Sequence, residues 1–203
     1  MKLYNSIGPN PKVVRMFMAE SGIEVELVEV DLMAAENRKE EYLKVNPAGQ
    51  IPALELDDGS VLSEITVICE YLDDKAGNSS LIGTSAEERG ETRMWSRRID
   101  LGILENLANG FRFAEGQALF KDRMRLIPHA ADDLKTLAQE KITWLDGQMD
   151  GKEFVCGDRF SLADILLFVF LEFGETVGQP LNTENKNIMA WYERVKARPS
   201  ASV

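Results

Sequence analysis

Two segments carry the residues whose types and spacing point most clearly to chemistry: residues 46–54 (NPAGQIPAL) and residues 62–72 (LSEITVICEYL). Ile51 precedes Pro52 and is therefore biased toward an extended conformation, and we expect the Ile51–Pro52 bond to be cis. Pro52 lacks an N–H and cannot occupy a central ladder position. Ile51 at a surface would therefore offer its backbone N–H and C=O to a peptide-like ligand, as in strand addition. In the second segment Glu64 opens a helix, where a carboxylate is also electrostatically stable.

These segments belong to a first half that alternates strands and helices. Mostly alternating polar and apolar residues predict a strand over residues 24–31 with one solvated face, its apolar residues being Val25, Leu27 and Val30. Asp57-Asp58-Gly59-Ser60 is a hairpin turn signal. The predicted β-α-β-α-β-β-α order is a strand at 2–4, a helix from Pro11 to Ser21, strand 24–31, helix 37–43, strands 53–56 and 61–62, and helix 64–75.

The second half has no convincing strand pattern and predicts helices at 86–116, 120–149 (interrupted at Pro128), 161–174 and 187–197. The turn-rich residues 77–85 predict a linker. Ser161-Leu162-Ala163-Asp164 has the spacing of a capping box, which is a folding element rather than a chemical one.

Taken together, residues 46–54 and 62–72 resemble the motifs of the cytosolic glutathione transferases. In that family a cis-proline motif grips the backbone of glutathione's cysteine, and an E-S-x-x-I-x-x-Y-L motif binds the γ-glutamyl end. The resemblance continues through residues 157–165 (GDRFSLADI) and 191–200 (WYERVKARPS). It implies an α/β plus all-α fold, with a thioredoxin-like glutathione-binding domain at 1–76 and an all-helical domain at 86–203 that contributes an electrophile pocket.

The resemblance also implies a set of glutathione-binding residues. Gln50 would reach the glycine carboxylate, Ile51 and Pro52 would hold the cysteine backbone, and Glu64 would bind the γ-glutamyl ammonium. The family's serine after this glutamate is Ile65 here, whose N–H at a helix start still suits a carboxylate. Thr66 is a substitute hydroxyl.

The reacting group would be the glutathione thiolate. A free thiol has a pKa of about 8.5, so lowering it by roughly two units needs about 2.7 kcal/mol. One hydrogen bond to a charged group supplies roughly 1.5–3 kcal/mol. The family's usual serine position falls on Gly8, and the cysteine position of its bacterial cysteine-type class falls on Asn10. Pro9-Asn10 also resembles a bacterial group that uses an asparagine. We therefore expect Asn10 to be the donor, with Ser6 as the second candidate and the amides of Lys12 and Val13 assisting. The alternative is that Asn10 only caps the helix before Pro11.

The family's electrophile pocket corresponds to residues on the first long helices of the second half. Trp95, Arg98, Phe111 and Phe113 are the candidates, although aromatic residues at helical spacing are equally typical of a core. The resemblance implies that the protein conjugates glutathione to small hydrophobic electrophiles. The alternatives are a glutathione-dependent disulfide reductase or peroxidase, and a non-catalytic protein of this family that binds ligands. It implies no cofactor beyond glutathione as co-substrate, and a homodimer.

Composition narrows the class of protein and its location. The 203 residues are 44% hydrophobic and 28% charged, with a formal net charge of −11, which argues against nucleic acid or an anionic membrane as a partner. We expect no signal peptide, membrane span or metal site. Cys69 and Cys156 are too few and too isolated for a disulfide framework and are expected to be buried. These features indicate the cytoplasm.

Overall fold

The computed structural model describes residues 1–77 and 80–203. Asn78 and Ser79 of the predicted linker lie outside the described residues. The first half follows the predicted order. Its elements are β1 (Lys2–Asn5), α1 (Pro9–Ser21), β2 (Glu26–Glu29), a 3-10 turn (Glu36–Arg38), α2 (Glu40–Val45), β3 (Ala53–Glu55), β4 (Val61–Ser63) and α3 (Ile65–Ala76).

The four strands form one mixed sheet in the order β2-β1-β3-β4. β2 runs parallel to β1, β3 runs antiparallel to β1, and β4 runs antiparallel to β3. Helices α1 and α3 cover one face, where Leu3 and Leu54 pack with Phe17 and Ile68 in the core. This is the predicted thioredoxin-like arrangement.

Strand β2 is shorter than predicted, and one of its apolar residues faces solvent. Leu27 was expected on the buried face, yet 44% of it is exposed. Leu27 pairs with Leu3 and therefore lies on the same face of the sheet. Because β2 is the edge strand, Leu27 lies beyond the region that the helices cover, whereas Val30 is buried as predicted.

Helix α1 begins two residues earlier than predicted. Its N-cap is Gly8, whose φ of 104° belongs to a region that side chains rarely adopt. Pro9 is the first helical residue, so Asn10 lies inside the first turn and is not the N-cap, which corrects that alternative. The helix ends as predicted, with Gly22 in the left-handed conformation.

The second half is helical. Its main elements are α4 (Ala86–Ile99), a π-helical turn (Asp100–Leu104), α5 (Glu105–Arg112), α6 (Gln117–Phe120), α7 (Ala131–Gln148), α8 (Leu162–Thr176) and α9 (Lys186–Lys196), with 3-10 turns at Pro128–Ala130 and Pro199–Ser202. The predicted helix over residues 120–149 is wrong before Pro128, because α7 begins only at Ala131. Pro128 disfavours helix at the residue before it.

The capping box is confirmed and anchors the centre of the helical half. Asp164 is fully buried, and its carboxylate accepts hydrogen bonds from the N–H groups of Ser161 and Val155, the Ser161 hydroxyl and Nε1 of Trp191 (2.8–2.9 Å). Four donors on one buried carboxylate make it a structural tie between the start of α8, the preceding loop and α9.

Two ion pairs tie helix α1 to the helical half. Lys12 Nζ lies 2.6 Å from Glu172 Oε2 on α8. Glu20 accepts both donors of the Arg198 guanidinium (2.7 and 2.8 Å) and the hydroxyl of Ser200. Cys69 and Cys156 are free and buried, as expected. Within the described residues, none of the helices is long and apolar enough to span a bilayer.

Candidate active site

The predicted glutathione-binding segments meet at one edge of the sheet. Tyr4, near the carboxyl end of β1, pairs with Ala53 at the start of β3, which in turn pairs with Ser63 at the end of β4. The segment after β1, the segment before β3 and the segment after β4 therefore emerge side by side. This register brings Asn10, residues 50–52 and residues 64–66 to a common edge.

The backbone before β3 is held in place from one side and open on the other. The Gln50 carbonyl accepts the Tyr42 hydroxyl (2.7 Å) and Nδ2 of Asn46 (2.8 Å). The Ile51 side chain is buried against Tyr42 and Val30, and the Ile51–Pro52 bond is cis as predicted. No hydrogen bond from the described residues reaches the Ile51 backbone N–H or carbonyl, so both groups are available to a ligand. The Gln50 side chain is exposed.

Glu64 is the N-cap of α3 and has an unusual backbone conformation. Its φ of 72° is rare for a residue with a side chain, and such strained positions concentrate at ligand sites. The side chain is exposed and makes no capping hydrogen bond. The N–H groups of the first helical residues, Ile65 and Thr66, have no acceptor within the helix, so a carboxylate acceptor (Glu64) lies beside anion-binding donors.

Asp100, in the π-helical turn of the helical half, interacts electrostatically with Glu64. Burial raises the pKa of Asp100; Arg97, 3.7 Å away, lowers it, and the nearby charges of Glu105 and Glu64 raise it further. Glu64 and Asp100 are therefore close enough for their charges to interact across the two halves of the chain. Such a pair of carboxylates attracts a cation.

The two thiolate candidates differ in what their side chains already bind. Ser6 is buried, and its hydroxyl donates to the Val30 carbonyl at 2.6 Å. Asn10 is partly buried and has no side-chain hydrogen bond to any residue of 1–77 or 80–203. Pro9 and Pro11 have no N–H, and the Lys12 N–H donates to the Gly8 carbonyl at 3.4 Å. Among the first residues of α1, Asn10 alone has both a side-chain amide and a backbone N–H without an acceptor in the described chain.

Comparison with known proteins identifies the family. The model of the glutathione S-transferase N-terminal domain matches residues 7–75, and that of the C-terminal domain matches residues 127–199. Glutathione S-transferase 2 of Saccharomyces cerevisiae is 32% identical over 197 residues, covering 95% of this chain and 84% of the yeast protein. The chain belongs to the glutathione transferase family.

A further relative and a solved structure agree along the whole length. Glutathione S-transferase GstA of Escherichia coli O157:H7 is 31% identical over 206 residues, covering 98% of this chain and 94% of the bacterial protein. The crystal structure of Gtt2 from Saccharomyces cerevisiae superimposes with a TM-score of 0.93 at 31% identity, covering 100% of this chain and 99% of the yeast chain. This transferase therefore shares both sequence and fold with the family.

The structure separates the four predicted electrophile-pocket residues into two groups. Trp95 is buried, Arg98 lies over its ring with Cζ 5.0 Å from the centroid, and both line a cavity of about 20 Å³ against Lys141 and Trp144 of α7. Helix α4, the π-helical turn and α5 follow one another without a break and form one helical rod (residues 86–112). Arg98 and Asp100 are two residues apart on this rod, so they point in nearly opposite directions. Trp95 and Arg98 are therefore not brought together with Glu64.

Phe111 and Phe113 lie further along the same rod. Phe111 is partly buried and makes two edge-to-face contacts. Its ring centroid lies 6.2 Å from that of Phe120 on α6 and 5.2 Å from that of Phe173 on α8. Phe113 is 7% exposed. Phe111 therefore belongs to an aromatic cluster between α5, α6 and α8, whereas Phe113 is almost wholly enclosed.

Sequence reasoning missed two charged residues of the transferase at this edge. Asp100 comes near Glu64 only because the two halves of the chain pack together, so no local sequence pattern predicts its position. Arg38 lies against Gly49, where an added Cβ would come within 2.9 Å of its Nη1, and that nitrogen is 3.4 Å from the Ala48 carbonyl. The guanidinium is exposed beside Gln50. A cation in the segment after β2 was the available signal, because that segment ends at the same edge.

Proposed function

We propose that this protein joins the thiolate of glutathione to small hydrophobic electrophiles. The observation that supports this most strongly is the convergence, at one sheet edge, of an open Ile51 backbone, a strained Glu64 beside a helix N-terminus, and the unpaired Asn10 amide. Each of these groups matches one part of a γ-linked tripeptide thiol, and their order along the edge matches the order of those parts.

In the proposed complex, charge fixes both ends of glutathione. Glu64 and Asp100 receive the γ-glutamyl ammonium, and the N–H groups of Ile65 and Thr66 receive its carboxylate. Gln50 and Arg38 receive the glycine carboxylate. The cysteine backbone pairs with Ile51 beside Pro52, as an added strand would. We assign residues 1–76 to glutathione and residues 86–203 to the electrophile, with 77–85 as the linker.

Asn10 would then act as the donor that favours thiolate over thiol. An amide donates a hydrogen bond and takes no proton at neutral pH, so the thiol proton leaves to solvent and Asn10 stabilises the resulting anion. The aromatic cluster around Phe111 is the better placed part of the electrophile pocket, because Trp95 and Arg98 line a different cavity. No cofactor enters this chemistry.

The direct test measures conjugation of glutathione to chlorodinitrobenzene, with cysteinylglycine as the matched thiol. Cysteinylglycine keeps the thiol and the glycine carboxylate but lacks the γ-glutamyl group. We expect an enzyme rate with glutathione well above the buffer rate and a much smaller one with cysteinylglycine. Equal rates for both thiols, or no rate above buffer, would contradict the proposal.

The reductase alternative shares the same thiolate and is separated by substrate. Cys69 and Cys156 are buried, and burial raises the pKa of both thiols, so a reductase would have to use glutathione as its only thiol. Turnover of a glutathione mixed disulfide or a hydroperoxide, without conjugation, would favour that alternative. Glutathione binding with no turnover of any of these substrates would favour the binding protein.

We also propose a homodimer that acts in the cytoplasm in detoxification. Three apolar side chains on α3, α4 and the π-helical turn remain 41–54% exposed: Val67, Met94 and Leu101. The Glu70–Arg93 pair (2.6 Å) joins the two helices beside them. A second copy would cover this surface, and Leu101→Glu should shift the sedimentation coefficient to that of a monomer. A wild type that already sediments as a monomer would contradict the dimer.

A further inference from the structure

Arg112 is a partly buried cation in the helical half whose guanidinium bonds a neutral amide instead of a carboxylate. Its Nη1 donates to Oδ1 of Asn109 at 2.9 Å, and Asn109 in turn donates to Glu105 at 2.8 Å. Within the described parts of the chain Arg112 forms no salt bridge, and Glu115, the next carboxylate along the chain, is 2.6 Å from Lys135. Burial lowers the pKa of Arg112, although the charge of Glu105 opposes the shift.

This cation borders the aromatic cluster assigned to the electrophile. Its Cζ lies 5.7 Å from the centroid of Phe120, and Phe120 contacts Phe111 edge to face. Phe111 also contacts Phe173, the neighbour of Glu172, and Glu172 is paired with Lys12 in the first turn of α1. The cluster and the first turn of α1 therefore both contact the same part of α8.

The π-helical turn aligns Arg112 with the glutathione end of the same rod. Glu105 N–H donates to the Asp100 carbonyl, five residues back, so Asp100 and Glu105 lie one above the other. Asn109 and Arg112 continue this row with ordinary helical spacing. The row begins beside Glu64 and ends at Arg112, about 18 Å further along at 1.5 Å per residue.

That length suits a conjugate of glutathione and one aromatic ring. From the γ-glutamyl ammonium to the cysteine side chain an extended ligand spans roughly 7 Å, at about 3.5 Å per residue. The remainder, on the order of 10 Å, accommodates a single ring and a substituent on its far side. Arg112 lies where that substituent would end.

We propose that Arg112 binds an anionic group of the second substrate, so that this transferase prefers aromatic electrophiles that carry a carboxylate. The proposal rests on the proposed conjugation activity and specifies its substrate class. An arginine fork matches a carboxylate with two hydrogen bonds. A cation that only stabilised the C-terminus of α5 could do so while fully hydrated. Partial burial of the Arg112 charge has a cost in free energy that such a role does not require.

The test compares a chloronitrobenzoate with the matching chloronitrobenzamide. In both, the glutathione sulfur forms a bond to the carbon that bears chlorine, the C–Cl bond breaks, and chloride leaves with the bonding pair; the thiol proton has already gone to solvent. The two electrophiles have nearly the same shape but differ in charge and in intrinsic reactivity. Because intrinsic reactivity cancels when the variant and the wild type are compared on the same electrophile, a loss confined to the benzoate reports on contacts to its charge.

We expect Arg112→Met to lower kcat/KM for the benzoate about 10- to 100-fold, mainly through KM, as removal of a charge-assisted contact does. The benzamide should change little. Arg112→Lys should restore part of the loss, because it keeps the charge but not the fork. A second measurement needs no variant: by calorimetry the wild type should bind the carboxylate conjugate more tightly than the amide conjugate.

Several results would overturn the role of Arg112: equal losses for both electrophiles, equal affinities for the two conjugates, or a raised pKa of bound glutathione in Arg112→Met, which would place the guanidinium on the sulfur. A wild type that gives both electrophiles the same kcat/KM relative to their uncatalysed rates with glutathione refutes only the role of Arg112. A wild type that conjugates neither refutes the proposed function as well.

Discussion

Replacing Asn10 with alanine should raise the pKa of glutathione bound to the protein. The start of α1 has few other donors, because Pro9 and Pro11 have no N–H and the Lys12 N–H donates to the Gly8 carbonyl. The side-chain amide of Asn10 has no partner in the described chain and is free to reach a sulfur anion. Its loss therefore removes the main side-chain stabilisation of the thiolate.

The size of the effect follows from the value of one hydrogen bond to a charged group. Such a bond contributes roughly 1.5–3 kcal/mol, and one pKa unit corresponds to about 1.36 kcal/mol, so the pKa should rise by about one to two units. Some depression should remain, since the positive end of the helix dipole adds roughly 0.3–1 kcal/mol. The Asn10 N–H also remains in the variant.

The assay is the ultraviolet absorbance of bound thiolate against pH for the wild type, Asn10→Ala and Ser6→Ala. Ser6 is the matched control, because its hydroxyl already donates to the Val30 carbonyl and lies in the core. We expect Ser6→Ala to change the titration less than Asn10→Ala. A larger shift in Ser6→Ala would reverse the assignment, and a wild type in which glutathione titrates as in water would refute thiolate stabilisation altogether.

Three further predictions concern binding and stability. Glu64→Gln should weaken glutathione binding by about 1.5–3 kcal/mol without changing the melting temperature, and an unchanged dissociation constant by calorimetry would remove Glu64 from the site. In urea unfolding, Asp164→Ala should lower the free energy of unfolding by about 3 kcal/mol or more, because it leaves several buried donors unpaired. Ser161→Ala should lower it by about 0.5–2 kcal/mol. Similar losses in the two variants would mean that the buried carboxylate acts only as a cap. Burial alone would raise the pKa of Glu20, but the hydrogen bonds from Arg198 and Ser200 lower it overall. Its contribution to stability is therefore fully present above its ordinary pKa and lost as pH falls through the lowered value, so Glu20→Gln should flatten the wild type's loss of stability in that acidic range; parallel pH curves would contradict this.

Local signals in the sequence were sufficient for most of the fold. Turn residues and apolar periodicity gave the order of strands and helices, Gly22 gave the end of α1, and the capping box gave the start of α8. The errors occurred where tertiary context decides. Leu27 alternates like a buried strand residue but lies on an edge strand beyond the covering helices. Residues 121–127 lie between two helices without an apolar stripe to hold a helix against the core.

The candidate site was predictable in proportion to how local its parts are. Residues 50–52 and 64–66 belong to contiguous motifs, so the resemblance of those motifs to the family was enough to name them. Asp100 and Arg38 reach the site through contacts made by distant segments. Asp100 has no sequence signature, and the only signal for Arg38 was a cation in the segment after β2. Trp95 and Arg98 show the converse case: their position on the first long helix resembled a pocket, yet the phase of that helix turns them toward α7.

The phase of that helix is also what links the two ends of the proposed ligand. In a regular α-helix, residues five apart point about 140° away from each other, so Asp100 and Glu105 would lie on different faces. The π-helical turn stacks them, and with Asn109 and Arg112 they form a row that is acidic near Glu64 and cationic at the aromatic cluster. Such turns are rare and frequently occur at functional sites. The row matches a ligand that carries an ammonium at one end and a carboxylate beyond its reacting sulfur. This alignment depends on the π-helical turn, which the sequence does not announce by any pattern. The side chains can therefore be named from the sequence, but the fact that they share one face of the helix cannot.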